Sequence, residues 1–360
     1  MTDLSTRQLC QNIMYYQDFD RMPVLHWLGW PETYEQWYTD GMPRNINEHD
    51  FFNTKPIHAW VSIDIDIYPS FEEEVLEDTK EYRIYRQKDG VICKDWKEKS
   101  SIPQYIDYLL KDASGWQEYK KRLQPDQGRI PADFDEQIKI AVEKDSPISV
   151  NTGSLIGWIR NWMGVENFSY LCYDDRDTLA EIVDTIADLV CWALDYTLPK
   201  IKVDCGWGWE DICFRTGPLV TPEIFKQVAV PGYRKIADKL LEHGVDLFVV
   251  DCDGMIDHLV PLWLEGGVNV MFPVEIGTWN ADPMAFRKKY GKELRIFGGI
   301  DKLAIPKGAK AIDDEIERRL PLMRDGGFIP LPDHLIVPGT PLENYQYYLE
   351  RIRGLRFTKK

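Results

Sequence analysis

The sequence predicts an α/β fold of the eight-stranded (β/α)8 barrel type, a TIM barrel, in a single domain spanning residues 1–360. Three observations carry this reading. The second half alternates short β-branched, apolar runs with helical patterns, as parallel β/α units do. The candidate strands number eight, and every one of them ends in a polar or ionisable residue.

In chain order the strands fall at 22–27 (MPVLHW), 57–66 (IHAWVSIDID), 147–152 (PISVNT), 200–206, 246–252, 268–273, 294–299 and 327–332. Helices fill the gaps. Behind Asp177, the residues Leu179, Ile182, Val183, Ile186, Leu189, Val190 and Ala193 recur at helical spacing, and Pro199 ends the run. Thr221-Pro222 opens a helix that Gly244 closes, and Asp282-Pro283 opens one that Gly291 closes, each with proline at the first helical position. Thr340-Pro341-Leu342-Glu343 reads as a capping box. Residues 67–145 are too many for a simple crossover. Within them, 81–96 (EYRIYRQKDGVICKDW) alternates like a hairpin turning at Asp89-Gly90, so the segment reads as a lid inserted between strands two and three. A doubly wound sheet would place a glycine-rich phosphate turn after its first strand, and GWPETYEQW is not one.

Composition narrows the partners. A content of 44% hydrophobic and 12% aromatic residues supports a large core. With 43 basic against 59 acidic residues the net charge is −16, which repels polyanions and argues against nucleic acid or an anionic membrane surface. A small-molecule substrate is the expected partner. No apolar run reaches the roughly 18–20 residues that span a bilayer, and the start lacks the basic-then-apolar order of a secretion signal, so the cytoplasm is the expected compartment. The seven cysteines form no CxxC pair and are expected as free, mostly buried thiols.

In a β/α barrel the loops at the carboxyl ends of the strands converge on the axis, so chemistry is sought there. His26 ends the first strand, Asp64 and Asp66 the second, and Asn151 the third, with Arg160 and Asn161 beyond it. Glu210 and Asp211 follow the fourth through Trp207 and Trp209; Asp251 and Asp253 close the fifth. Glu275 follows the sixth, Asp301 the seventh, and Asp333 and His334 the eighth. Any one acid after a strand is commonly a helix cap, and Asp301 reads that way. Asp251 and Asp253 share parity and can both face the axis, whereas Cys252 faces the helices. Trp207, Trp209, Trp158 and Trp162 are candidate aromatic walls, with core packing an equal reading for the last two.

The order WGWEDI, TPEIFKQVAVPGYRKI, VDCDG, GVNVMFPVEIG, FGGIDK and FIPLPDHLIVPGTPLENY resembles the uroporphyrinogen decarboxylase superfamily, closely from Val203 to Arg353 and more loosely through DRMPVLHWLGWPETYEQW and YPSFEEEVLED. The resemblance implies a β/α barrel and two branches of chemistry. Its decarboxylases use no cofactor, hold pyrrole nitrogens on an aspartate that Asp64 matches by its spacing to Pro69, and carry a late histidine where His334 stands. Their amino-terminal arginine motif is absent here, the stretch from Pro23 to Tyr34 reading PVLHWLGWPETY. Its corrinoid-linked methyltransferases bind zinc through a His-x-Cys and a late Cys, and those places read Asp251-Cys252-Asp253 and Asp333-His334. Zinc or another divalent metal on Asp251, Asp253 and His334 is therefore one expectation, and a metal-free network around His334 the other.

The implied function is methyl transfer from a small O-, N- or S-methyl compound to a corrinoid protein. Decarboxylation of a porphyrinogen or smaller acid is the alternative, and a non-catalytic barrel binding a ligand or a corrinoid protein a third. Asp251, Asp253, His334 and Asp64 are assigned to the chemistry. His26, Asn151, Arg160, Asn161, Trp207, Trp209, Glu210, Asp211, Glu275 and Asp333 are assigned to the substrate. A homodimer is compatible with the resemblance.

Overall fold

The computed structural model describes residues 4–97 and 103–357, so residues 98–102 of the expected 67–145 insertion lie outside the described residues. Its strands are β1 (Leu25–His26), β2 (Lys55–Pro56), β3 (Ala59–Trp60), β4 (Glu74–Asp78), β5 (Tyr82–Arg86), β6 (Ile92–Trp96), β7 (Gln104–Asp107), β8 (Ile148–Gly153), β9 (Cys205–Trp209), β10 (Cys213–Phe214), β11 (Gly217–Pro218), β12 (Phe248–Asp251), β13 (Val270–Phe272), β14 (Arg295–Phe297) and β15 (Phe328–Ile329).

Seven of these form one parallel sheet in the order β15-β14-β13-β12-β9-β8-β3. Strands covered on both faces read as continuous apolar runs, and β12 and β13 (FVVD, VMF) are almost wholly buried. At the two ends of this sheet the amino-terminal segment forms a seam. β1 pairs in parallel with β2, Gly29 bridges Ile336, and the Thr33 hydroxyl and Trp37 indole donate to the Ile336 and Thr340 carbonyls.

The fourth strand runs later than its apolar stretch suggests, over Cys205–Trp209 and not 200–206. The Gly-Trp-Gly-Trp alternation explains this. A side chain at Gly206 would strike Leu240 of the helical layer and one at Gly208 the Gly153 carbonyl, so the glycines face outward and Trp207 faces the interior. The second strand ends at Trp60 and not Asp66.

Helix signals translate unevenly. The helix Arg176–Thr197 is capped by Asp175, which accepts from the Thr178 amide, two residues before the Asp177 expected there. The run after Thr221 is two helices, Pro222–Val228 and Val230–Glu242, parted at Ala229 because Pro231 cannot continue the hydrogen-bond ladder. Pro283–Tyr290 runs from Asp282 to Gly291. No capping box forms at Thr340, whose hydroxyl donates to the Val337 carbonyl, while Asp40 accepts from the Leu342 amide.

Between the second and third parallel strands, β4 to β7 form a four-stranded antiparallel sheet, with β5 and β6 a hairpin through Asp89 and Gly90. The other described residues of that segment are not part of this sheet. The helix Ala113–Arg122 buries Trp116 and Tyr119, and Phe134–Glu143 buries Phe134 and Ala141. Among the described residues no helix is long and apolar enough to cross a membrane.

Candidate functional site

A cavity of about 390 Å³ opens at the carboxyl ends of β9 and β12, lined by Trp27, Ile57, His58, Trp60, Asn151, Trp207, Gly208, Trp209, Asp211, Asp251 and Phe272. Its walls are rings. Trp27 meets Phe272 edge-on with centroids 4.8 Å apart, and Trp207 meets Phe272 at 5.1 Å. The His58 imidazole lies 4.1 Å from Trp60 and 4.4 Å from Trp207. Burial pushes His58 down to about 3, so it is uncharged at any working pH, and its Nδ1 is buried without a partner.

Three carboxyl groups gather beside the rings. Asp251 ends β12; burial first, and then the charges of Asp211 and Asp253, hold its carboxyl well above the carboxylate range. Asp211 has surface open to solvent, yet desolvation on its inner side and the nearby Asp253 raise it to about 6. The Asp253 amide donates to Asp211 Oδ1 at 3.3 Å, and its carboxylate faces His334 Nε2 at 3.2 Å. His334 stacks on Trp30 with centroids 5.9 Å apart and meets Trp27 edge-on at 6.0 Å. Burial opposes charge on this imidazole, but the bond to Asp253 outweighs it and leaves the pKa raised. Gly254 makes the turn possible: its φ is +83°, and a side chain there would strike the Cys213 carbonyl. Cys252 is buried with its thiol against Cys213 and the Asp253 carbonyl, outside the cavity lining.

Other expected site residues are placed elsewhere. His26 is buried outside the cavity, its Nδ1 2.6 Å from the Tyr345 hydroxyl and its Nε2 3.6 Å from Glu48; Trp27, of opposite parity, takes the inward place. Glu210 is fully buried and accepts from the Ser154 hydroxyl, the amides of Leu155, Ile156 and Gly157, and the Tyr233 hydroxyl. Those five donors occupy both its oxygens, so it anchors the helix Gly157–Asp174 and has none left for a ligand. Asp333 accepts from the amides of Ile276 and Lys302 at 2.6 and 2.8 Å. Glu275 accepts from the Gly254 amide, the Thr278 hydroxyl and the Lys302 ammonium. Asp301 caps the turn after it by accepting from the Leu303 amide. Lys302, unremarked in the sequence, thus ties Glu275 to Asp333, lying 3.1 and 3.8 Å from their carboxylates.

Asn151 and Trp209 line the central cavity, while Trp158 and Trp162 stack on each other in the core. Asp64 and Asp66 line a second, larger cavity of about 680 Å³ against the antiparallel sheet, with Tyr68, Tyr85, Lys88 and Asp89. Buried Arg129 braces their loop through the carbonyls of both residues. Arg160, whose charge reaches Asp211 and Tyr105, has its Nε buried without a partner; Asn161 is half-buried beside it and outside the cavity lining.

Asp251, Asp253 and His334 do not assemble as metal ligands. Among the described residues no group of three or more His, Cys, Asp or Glu side chains is disposed to hold a metal ion. Asp251 borders the central cavity, whereas Asp253 lies past the end of the strand and is taken up by His334. The residues present therefore do not fit a zinc site.

The profile of the uroporphyrinogen decarboxylase (URO-D) family matches residues 95–355, most of the chain. The chain belongs to the uroporphyrinogen decarboxylase family. Within that family it is 22% identical over 190 residues to a uroporphyrinogen decarboxylase of Phenylobacterium zucineum (strain HLK1), a match covering 52% of this chain and 51% of the relative, so it spans about half the length of that curated protein. A methyltransferase from Methanosarcina mazei shares its fold, with a TM-score of 0.62 at 16% identity over 98% of each chain. The URO-D match takes in β8 to β15, and with them Asp211, Asp251, Asp253 and His334.

Proposed function

We propose that this URO-D family member is a methyltransferase that takes a methyl group from a small O-, N- or S-methyl compound bound in the central cavity and passes it to a corrinoid carried by a partner protein. The observation that supports it most is Asp251, a carboxyl that desolvation holds well above the carboxylate range, at the wall of an aromatic cavity that no arginine lines. A polyanionic porphyrinogen would face Asp211 and Asp251 there, with Arg160 near Asp211 but no guanidinium among the lining residues to meet its carboxylates. A small, weakly charged donor fits a volume of this size.

In this reading the rings exclude water and orient the methyl group towards the mouth. When the methyl group leaves, the heteroatom keeps the bonding electron pair and takes the Asp251 proton, so the carboxyl becomes a carboxylate. The His334–Asp253 pair beside it is a proton source that returns Asp251 to the acid form. The corrinoid supplies the nucleophile for the methyl group. The fold is then a closed eight-stranded barrel with β1 as its first strand, and the sheet β4 to β7 is a lid over the mouth.

The test supplies a reduced corrinoid and a panel of O-, N- and S-methyl compounds and follows the demethylated product by mass spectrometry. Loss of product in Asp251→Asn is expected. Decarboxylation is favoured by one feature, the cavity at Asp64 and Asp66, and carbon dioxide release from a porphyrinogen abolished by Asp64→Asn would replace this proposal.

A further inference from the structure

The residues lining the central cavity combine four tryptophans and a phenylalanine with two acidic side chains, Asp211 and Asp251, and no basic one other than His58. We infer that the cavity binds a small methylated cation, a tertiary or quaternary ammonium or its sulfonium equivalent, with its positive centre against the indole faces and opposite the Asp211 carboxylate. This rests on the methyl-transfer reading and names the class of donor it takes; such a donor leaves as a neutral amine or thioether that keeps the bonding pair, so this step needs no proton from Asp251, which is used only by neutral O-, N- or S-methyl donors.

The faces of indole rings carry negative potential and attract a cation most strongly where water is excluded. Trp60 and Trp207 stand with their rings 6.4 Å apart at 73°, and Trp27 and Phe272 continue the wall, so a methylated head meets aromatic surface on several sides. A neutral apolar ligand would use the rings but leave the Asp211 carboxylate without a counter-charge. An anion is repelled outright. A bare metal ion finds no converging ligand set among the described residues. A bulky cation satisfies both features, because its charge is spread over methyl groups that need no hydrogen bonds.

His58 completes the wall. Its ring lines the cavity between Trp60 and Trp207, and its buried Nδ1 has no partner in the protein. Being uncharged, it does not oppose a cation, and its ring adds a further apolar face to the wall beside Trp60 and Trp207. A volume of about 390 Å³ holds a trimethylammonium head and leaves room for a longer tail.

The probe is choline, compared with 3,3-dimethylbutan-1-ol, which has the same shape with carbon in place of nitrogen. Binding to the whole protein is measured by titration calorimetry and tryptophan fluorescence. Choline is expected to bind at least roughly tenfold more tightly than the alcohol. Trp60→Ala and Asp211→Asn, both at solvent-facing positions, are each expected to lower choline affinity by roughly threefold or more while changing the alcohol's less; thermal melts check that both fold. Equal or tighter binding of the alcohol, or no binding of choline, overturns the inference. Turnover of a neutral methyl ether by a protein that ignores choline overturns it while leaving methyl transfer standing. Selective choline binding without turnover of any methyl donor upholds it and removes the methyl-transfer reading.

Discussion

Replacing Glu210 by glutamine keeps size and shape but changes one acceptor oxygen into a donor. Oε2 accepts from the Ser154 hydroxyl at 2.9 Å and from the Ile156 and Gly157 amides at 2.9 and 2.6 Å, and Oε1 accepts from the Leu155 amide at 3.0 Å and from Tyr233. The amide group of Asn or Gln type does least harm at the Oε1 position, where the Tyr233 hydroxyl can turn to accept but the Leu155 N–H loses its partner. One orphaned buried donor costs about 1–3 kcal/mol, and the bonds that remain lose the strengthening that the carboxylate charge supplies. The expected loss is about 3 kcal/mol, read as a shift of the urea midpoint at unchanged slope. Ligand affinity in the folded variant should change little. A loss below about 1 kcal/mol together with abolished ligand binding would refute this anchoring role and return Glu210 to the substrate.

Three further outcomes follow from the same geometry. Asp251→Asn should lower turnover by about 10²–10⁴-fold with a denaturation midpoint equal to or above that of the parent, since an uncharged group replaces one that burial already keeps protonated. Asp211 binds its proton more tightly in the folded state, so its contribution to stability falls as pH climbs from 3.8 to about 6. Asp211→Asn should remove that fall and gain about 1 kcal/mol above pH 6, a figure discounted for the solvent on its outer side and checked by urea melts across pH. Lys302→Met leaves Glu275 and Asp333 buried without their cation and should cost about 3–5 kcal/mol at neutral pH, with part regained at low pH as the carboxyls protonate.

Parallel strand segments were legible because each is a short apolar run bounded by turn residues, and the parity of Asp251 and Cys252 puts one on the cavity and the other against Cys213. What escaped the sequence escaped for physical reasons. A two-residue strand such as β1 offers too little alternation to say whether His26 or Trp27 faces inward, and a histidine draws the eye over a tryptophan. The run 57–66 keeps its alternation past the end of hydrogen bonding at β3, so Asp64 seemed to end a strand that had stopped at Trp60. That shift also hid His58 and Trp60 as walls of the cavity. Acid residues such as Glu210 and Asp333 look alike in sequence whether they bind a ligand or backbone amides, because the amides they satisfy come from other loops. Lys302 belongs to the same class, its partners lying 27 and 31 residues away.

The seam between the amino-terminal segment and the last strands has a consequence for how the protein is made. His26 finds Tyr345 only across a separation of 319 residues, and Thr33 and Trp37 each reach partners 303 residues away. At a ribosomal rate of about 5–20 residues per second, roughly 15–60 s pass between the emergence of the first partner and the last. For that interval Trp37 lacks Tyr345 and Trp27 lacks His334, the late-made rings each meets in the folded chain. Expression yield should therefore respond to holding chaperones and to slower growth temperatures more than to any stabilising change in the sheet, and a circular permutant that synthesises residues 327–357 ahead of residue 4 should shed that dependence.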